Sequence, residues 1–428
     1  MEDFEEALPQ QMVEEQDADT PAAFYTATPG YSSSYQTPGR LNPDTDFGKA
    51  LTQQKLVEAK EVEVNWSGRG QHVEFEPNDK IPLQLERAIG HSATAIVESV
   101  RCRRIRLARK SIRCRRGIKL EDLIREVSYL HNLRHPHIIQ LVGTYLQKNT
   151  FAILLYPVAT GDLTKFMDEW QPYSAVYAEL PSPALEAQLD LARFFLCLAS
   201  AVAFMHEQGI RHMDIKPSNI LVHERRPLAR PHVRSIYITD FGISEAFTVE
   251  DGSQTDSPAP MTKRWCSPEV AVRGHRGRSS DIFSLGCVFS EMYTTLQRKS
   301  RDSFQKFREQ DDGVDTFHLT LPKVRQWLCN LDKMVYTHKR VEKQGPSDFV
   351  KLLIEMINSD PSGRPTSESL MSRLRRTVIY GPGTKYDMRY RNCCSAPVET
   401  YRVAEEDQIF EAFDFAEHID EEDNEDYM

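Results

Sequence analysis

Short apolar runs rich in Ile and Val alternate with turns between Gln84 and Leu155. Runs of this length and composition, bounded by turn residues, are typical of β-strands. The predicted strands are residues 95–100, 105–108, 138–142 and 151–155. One stretch among them, residues 120–133, has helical periodicity instead. This order predicts a β-rich unit that a single helix interrupts.

Beyond Leu163 the apolar pattern becomes mostly helical. The longest apolar run, residues 191–205, places Leu191, Phe195 and Val202 at helical spacing, which indicates a core helix. Helical patterns cover residues 183–208, 280–293, 348–357 and 367–375. Strands first and helices afterwards predict an α+β fold of two lobes.

Both ends of the chain differ in composition from its middle. Residues 1–20 hold eight acids, residues 404–428 hold twelve, and neither stretch contains Lys or Arg. The whole chain has a formal net charge of −10, but residues 21–403 contain 43 acids and 53 bases and so carry a net charge of +10. Residues 1–75 are rich in Pro, Ser, Thr, Gln and acids without a clear apolar period, and this composition predicts disorder.

The cysteine pattern and the hydropathy favour an intracellular protein. The eight cysteines form no Cys-x-x-Cys pair and no Cys/His metal spacing, which predicts a reducing compartment. The acidic first twenty residues do not fit a secretory signal, and the run at 191–205 contains Arg193 and is too short to span a bilayer. We therefore expect a cytoplasmic protein without a membrane span, and nuclear access stays open.

The densest polar motif is Arg-His-Met-Asp-Ile-Lys-Pro-Ser-Asn at residues 211–219, followed by Asp240-Phe-Gly. A loop carboxylate at Asp214, with Lys216 two residues on and Asn219 five residues on, can converge on one phosphoryl group. The Asp can orient an attacking hydroxyl and accept its proton, while the Lys neutralises charge on the transferred phosphate. Asn219 and Asp240 offer the hard oxygen ligands that Mg²⁺ prefers. The motif predicts phosphoryl transfer.

On these residues the chain resembles the eukaryotic protein kinase family over roughly residues 82–377. It looks most similar to divergent serine/threonine kinases of filamentous fungi. The resemblance implies the two-lobed kinase fold, with an N-lobe at about 82–157 and a C-lobe at about 158–377. It also implies ATP and Mg²⁺ in the cleft and protein substrates. Residues 378–428 would form a C-terminal extension with the acidic tail.

The resemblance assigns catalytic roles residue by residue. Asp214 matches the catalytic base, and Lys110 matches the lysine that contacts the α- and β-phosphates. Glu126 matches the helix glutamate that holds this lysine in place through an ion pair. Lys216 and Thr262 both match the serine/threonine branch of the family rather than the tyrosine kinases.

Three further matches are structural rather than catalytic. Glu269, in Ser-Pro-Glu, and Arg364, in Gly-Arg-Pro, match a carboxylate and a guanidinium that clasp two segments together. Asp281 matches the helix aspartate that anchors the catalytic loop.

The implied nucleotide pocket combines a phosphate-covering loop, the next strand, the hinge and one residue beneath the base. Its residues are Ile89, Gly90, Ser92, Ala95, Val97, Ala108, Lys110, Tyr156, Val158 and Leu221, with Leu155 at the gatekeeper position. The covering loop departs from Gly-x-Gly-x-x-Gly-x-Val, because Ser92 and Ala95 replace two glycines. Side chains there keep backbone N–H groups farther from phosphate oxygens, which predicts weaker nucleotide binding.

A second departure concerns Met213, which replaces the arginine that pairs with a phosphorylated activation loop in the family. We therefore expect activity that does not depend on such phosphorylation. The two departures favour a pseudokinase scaffold that binds nucleotide weakly and regulates a partner. The retained Lys110, Asp214, Asn219 and Asp240 favour an active enzyme, which is the main prediction.

Residues 101–116 hold nine bases. Solvated strand faces explain them most simply. The alternative is a docking surface for an acidic chain, either an acidic partner or this protein's own tail at residues 404–428. Nucleic acid is not expected, because no nucleic-acid fold motif accompanies the arginines.

Overall fold

The structure is a computed structural model that describes residues 41–58, 63–91, 95–114, 119–170, 182–225, 233–241, 245–246, 263–272, 277–310, 313–338, 345–382 and 384–388. Six strands of its first lobe form one sheet in the order β1-β5-β6-β4-β3-β2. They are β1 (His72–Phe75), β2 (Gln84–His91), β3 (Ala95–Cys102), β4 (Ile105–Arg113), β5 (Gln140–Gln147) and β6 (Thr150–Tyr156). Two helices accompany the sheet, α1 (Asp46–Gln53) and α2 (Leu120–Asn132).

The strand register brings predicted nucleotide residues onto one face of the sheet. Lys110 pairs with Val97 on β3 and with Ile153 on β6, and Ala108 pairs with Leu155. Because side chains alternate along a strand, these residues share a face. The cluster on that face includes the helices, while a second cluster, built around Trp66, covers the other face.

The second lobe is mostly helical. Its helices are α3 (Leu163–Glu169), α4 (Ser182–Glu207), α5 (Pro268–Ala271), α6 (Arg278–Leu296), α7 (Arg301–Glu309), α8 (Leu321–His338), α9 (Asp348–Met356) and α10 (Ser367–Leu374). Helix α6 is the central one, because residues 280–296 are all buried. The ring of Phe195 on α4 lies 4.9 Å from Phe289 and 5.1 Å from Phe349, which joins α4, α6 and α9 in one core.

Short strands frame the junction between the lobes. They are β7 (Gly161–Asp162), β8 (Ile210–Arg211), β9 (Ile220–Arg225), β10 (Val233–Ile238) and β11 (Glu245–Ala246), and a terminal hairpin follows with β12 (Val378–Gly381) and β13 (Thr384–Asp387). Strand β9 lies between β10 and β7, and β8 pairs with β11. The predicted two-lobed α+β architecture is confirmed.

The prediction of disorder over residues 1–75 is wrong for the described part of that segment. Helix α1 packs into the core with Phe47 1% and Leu51 0% exposed, and Trp66 is 1% exposed. Strand β1 adds to the sheet edge in parallel with β5. Helix α1 has 8 residues and strand β1 has 4, which are too few to show a hydrophobic period within a polar segment. Such short elements form because they are buried against the rest of the lobe. Residues 1–40 lie outside the described residues.

The predicted boundary at residue 377 also needs correction, because the hairpin β12–β13 belongs to the helical lobe. Ile379 and Tyr386 are 0% exposed and Met388 is 1% exposed. The Tyr386 hydroxyl donates to Gln188 on α4 at 3.3 Å, and Gln297 Nε2 donates to the Tyr380 carbonyl. The acidic tail lies outside the described residues.

One helix among the described residues passes a length and composition test for crossing a membrane. This helix, Ala184–Glu207, is 72% buried inside the protein over its most apolar 18 residues, as in the core helix of a globular domain.

Truncation tests the role of the hairpin. We expect a chain ending after Thr377 to lose at least about 3 kcal/mol of unfolding free energy, since each buried apolar side chain contributes roughly 1.5–3 kcal/mol. A chain ending after Met388 keeps the hairpin and should match the full chain in urea unfolding. Equal stability of the two truncated chains would contradict the assignment.

Candidate active site

One buried carboxylate, that of Asp281, anchors the catalytic loop through hydrogen bonds. Asp281 is 1% exposed, and its Oδ1 accepts the N–H of Met213 at 2.8 Å. Its Oδ2 accepts the N–H of His212 at 2.9 Å and contacts His206 Nε2 at 3.0 Å. Burial acts to raise the pKa of Asp281, but the hydrogen bond from His206 and the charges of nearby His206 and His212 lower it overall. The residue therefore holds two consecutive N–H groups just before Asp214.

Asp214, Lys216 and Asn219 converge as the sequence predicts. The Lys216 ammonium donates to Asp214 Oδ2 at 2.5 Å. A 3-10 turn over Pro217–Asn219 brings Asn219 back, and its Nδ2 donates to the carbonyl and the carboxylate of Asp214, each at 3.0 Å. Met213 has φ 69°, a left-handed conformation that is costly for a residue with a Cβ.

Lys110 links both lobes. Its Nζ donates to Glu126 Oε1 on α2 at 2.8 Å and to Asp240 Oδ1 at 3.0 Å. Burial acts to lower the pKa of Lys110, but the charges of Glu126 and Asp240 raise it overall, so the ammonium stays charged. Burial likewise acts to raise the pKa of Asp240, and the Lys110 charge lowers it below its ordinary value. The predicted ion pair is thus present together with a second carboxylate.

Asp240 lies beside Asn219 because the residue before it, Thr239, is hydrogen-bonded to Asn219. The N–H of Thr239 donates to the Asn219 carbonyl at 3.0 Å, and His212 Nε2 donates to the Thr239 carbonyl at 3.0 Å. Phe241 is fully buried, with its ring 4.8 Å from His212. Asp240 has φ 66°, so it is a second left-handed residue at the site, in the segment that follows β10. These contacts turn the Asp240 carboxylate toward Lys110.

The donor set of Asn219 and Asp240 fits a magnesium ion. The Nδ2 of Asn219 donates both of its hydrogen bonds to Asp214, so the Oδ1 is the side-chain atom that can bind a metal ion. The Asp240 side chain is 48% exposed and binds Lys110 through one of its two oxygens. Oxygen ligands of this kind suit Mg²⁺, which commonly keeps several waters and takes one or two protein groups. The predicted metal residues are therefore adjacent and chemically suitable.

The predicted nucleotide residues do not all lie on one face of the sheet. Ala95, Val97 and Ala108 share the face of Lys110, whereas Tyr156 packs against the Trp66 cluster on the opposite face. Ile89 is 43% exposed, Ala95 is buried, and a Cβ placed on Gly90 would meet no protein atom within 4 Å. Val97, Ala108, Tyr156 and Leu221 are partly buried. Ser92 and Thr262 lie outside the described residues.

Sequence reasoning missed a residue that contacts the hinge. His223 on β9 donates from Nδ1 to the Val158 carbonyl at 2.8 Å. The hydroxyl of Thr160 donates to the Val222 carbonyl at 2.9 Å, so β9 supports the hinge at two points. A histidine 65 positions from its partner has no local signal, and only the strand pairing shows the contact.

The predicted clasp is also present. Arg364 donates from Nη1 and Nη2 to the two carboxylate oxygens of Glu269, at 2.7 and 2.8 Å. Burial acts to raise the pKa of Glu269, and the hydrogen bonds from Arg364 lower it overall. Two parallel charge-assisted bonds fix orientation as well as distance. They attach α5 to the turn before α10.

Comparison with known proteins agrees with this geometry. A model of the protein kinase domain matches residues 83–374, more than half of the chain. The chain therefore belongs to the protein kinase family, as its motifs predict.

The chain is similar to several kinases at low identity. It is 27% identical over 258 residues to the probable serine/threonine-protein kinase drkA of Dictyostelium discoideum, covering 60% of this chain and 33% of that protein. It is 27% identical over 223 residues to the serine/threonine-protein kinase ULK3 of Rattus norvegicus, covering 52% and 41%. It is 32% identical over 186 residues to the mitogen-activated protein kinase kinase kinase MST11 of Pyricularia oryzae, covering 42% and 18%.

The chain thus spans less than half the length of each of these relatives. Relatives from such different organisms do not decide the predicted closeness to filamentous-fungal kinases, which stays a prediction.

Replacing Asp281 tests the anchor of the catalytic loop. In Asp281→Asn an amide NH₂ faces a backbone N–H, and we expect a loss of about 2 kcal/mol of unfolding free energy at pH 7, in the range for an unsatisfied buried donor. The folded-state pKa of Asp281 is lowered, so its contribution is complete above the unfolded-state pKa and disappears as pH falls below about 4.

Urea unfolding of both proteins between pH 7 and pH 3 measures this effect. The difference in unfolding free energy should shrink with acidification. A difference that stays constant or grows would mean that Asp281 is not the charged anchor.

Proposed function

We propose that this protein is an ATP- and Mg²⁺-dependent protein kinase that transfers the γ-phosphoryl group to Ser and Thr hydroxyls of proteins. The observation that carries the proposal is the bonding of Lys110 to Glu126 and Asp240 at once, beside Asp214 and Asn219. Phosphoryl transfer depends on positioning and on charge neutralisation, and these residues supply both.

Each residue has one task in the proposed reaction. Lys110 binds the α- and β-phosphates, and Glu126 holds its ammonium in place. Asp214 orients the acceptor hydroxyl and takes its proton, while Lys216 neutralises charge that develops on the transferred group. Asn219 and Asp240 would hold Mg²⁺, which would supply positive charge to offset the negative charge of the phosphates.

Two observations favour Ser and Thr over Tyr as acceptors. Lys216 is bonded to Asp214, the arrangement that the resemblance attributes to serine/threonine kinases. The relatives drkA and ULK3 carry serine/threonine-protein kinase names.

The pseudokinase alternative is favoured by the altered phosphate loop and by Met213. The described contacts weigh against it, since a scaffold without catalysis does not need Lys110, Glu126 and Asp240 bonded together. Cytoplasmic location stays a prediction from composition.

Carboxylate-to-amide changes test the catalytic assignment. We expect Asp214→Asn and Asp240→Asn each to lower transfer from labelled ATP to a generic protein acceptor by at least about 100-fold, in the range for loss of one preorganised electrostatic group. Asp348→Asn is the matched control, because that carboxylate on α9 is 85% exposed and pairs only with Lys351 among the contacts described. Circular dichroism and thermal unfolding should show intact folds.

Transfer by Asp240→Asn at the wild-type rate would refute the metal assignment. A wild type that binds no nucleotide and transfers no phosphate would favour the pseudokinase.

We further propose that the acidic tail docks weakly on the basic stretch 101–116. Much of this stretch is already neutralised, since Arg101 and Arg106 pair with Glu86 and Arg109 pairs with Glu98. Three exposed arginines, at positions 103, 104 and 113, have no ion pair with another described residue. A tethered acidic chain has an effective concentration on the order of millimolar, so weak surface pairs can sum to partial occupancy.

Truncation after Val403 tests this docking. We expect the truncated chain to be about twofold more active than the full chain at low salt and equally active at high salt, because screening weakens surface pairs. The double variant Arg103→Gln/Arg104→Gln should reproduce the low-salt gain without truncation. Equal activity of all three proteins at both salt concentrations would leave the tail without a docking role.

A further inference from the structure

The segment before the sheet packs against the helix that carries Glu126, and we propose that this segment positions the Lys110–Glu126 ion pair. We call residues 41–58 the strap. The proposal rests on the proposed kinase function, because the ion pair matters to phosphate transfer. The strap lies outside the region 83–374 that matches the protein kinase domain, so it is an addition to the family's common core.

Helix α1 of the strap is stable because it packs against the core of the first lobe. It has 8 residues, and a helix of this length is not stable alone in water. Thr45 caps its first turn by accepting the N–H of Gly48 at 3.1 Å. A Cβ on Gly48 would lie 2.1 Å from the Asn42 carbonyl oxygen, so only glycine lets residues 42–45 fold back over the helix. The apolar face formed in this way is buried in the lobe.

The apolar face of α1 belongs to the same cluster as the apolar face of α2. Phe47 and Leu51 from α1 are 1% and 0% exposed, and Ile124 and Val127 from α2 are both 0% exposed. The ring of Phe47 also meets Phe151 of β6 edge-on, with centroids 6.2 Å apart. The strap therefore contacts the sheet and the helix together.

A second contact lies at the C-terminal end of α2. Glu58 Oε1 is 2.8 Å from His131 Nε2 and 4.0 Å from an Arg134 guanidinium nitrogen. The N–H of Leu56 donates to the Leu51 carbonyl at 3.0 Å, which turns the chain after α1. The strap thus engages α2 along its apolar face and at its end.

These contacts determine where Glu126 points. Glu126 lies between Ile124 and Val127 in the sequence, so fixing the apolar face of α2 fixes the direction of the glutamate relative to Lys110. The N-terminal end of α2 offers less support, because Lys119 makes no side-chain cap there. We therefore assign the strap a positioning role: it holds α2 against the sheet with the ion pair formed.

A pair of identical substitutions separates positioning from general stability. Phe47→Ala removes the anchor of the strap. Phe75→Ala is the matched control, because Phe75 is 3% exposed in β1 but belongs to the cluster on the opposite face of the sheet. Phe47→Leu keeps apolar bulk and should restore most of the activity.

The decisive measurement is a double-mutant cycle of kcat/KM for ATP. We expect Phe47→Ala to lower kcat/KM about tenfold in the wild type and less than about twofold in the Glu126→Gln background, because coupled residues act through one interaction. Phe75→Ala should leave kcat/KM within about twofold at a temperature where all variants are folded. Equal losses from Phe47→Ala in both backgrounds, or an equal loss from Phe75→Ala, would overturn the positioning role.

Amide hydrogen exchange gives an answer that needs no activity. Exchange in residues 123–131 of α2 should accelerate in Phe47→Ala and stay unchanged in Phe75→Ala. Unchanged exchange in both variants would overturn the proposal. If the wild type transfers no phosphate, the proposed function fails, but this exchange result still decides whether the strap holds α2.

Discussion

The carboxylate of Asp281 has lost nearly all of its water, and such a group is tolerated only where protein donors replace that water. The N–H groups of His212 and Met213, with the ring of His206, are those donors. Meeting that requirement holds the chain in a left-handed conformation at Met213. The next residue, Asp214, therefore enters the cleft in a fixed direction. The position of the catalytic loop thus depends on one buried carboxylate of the helical lobe.

The charge balance of the cleft follows from this placement. Two ammonium groups, of Lys110 and Lys216, meet three carboxylates, of Glu126, Asp214 and Asp240. The lowered pKa of Asp240 keeps its carboxylate ionised at neutral pH. A site with one surplus negative charge and exposed oxygen atoms attracts a divalent cation rather than a bare phosphate. Under the proposed function, metal and nucleotide are therefore expected to bind together, since the metal's positive charge offsets the negative charges of the carboxylates and the phosphates.

Two elements outside the expected domain bounds are integral to the lobes. The strap and β1 extend the first lobe, and the hairpin carrying Tyr386 completes the second. Their sequences do not predict them, because a helix of 8 residues and strands of 4 residues contain too few positions to establish a hydrophobic period. The polar composition of residues 1–75 concealed the apolar face of α1, which has meaning only beside α2.

Local pattern was sufficient for the longer elements and for the catalytic loop. The strands β3, β4 and β6 and the helices α2 and α4 lie where periodicity predicts them. Asp214 and Asn219 converge because they are only five positions apart and a 3-10 turn at Pro217–Asn219 brings the chain back. The contacts of Lys110 with Asp240, 130 positions away, and of His223 with the hinge were decided by the tertiary structure. Hydrophobic periodicity predicts which face of a helix or strand is buried. It does not predict hydrogen-bond partners that are distant in sequence, because these form only when the buried faces pack together and buried polar groups must be paired.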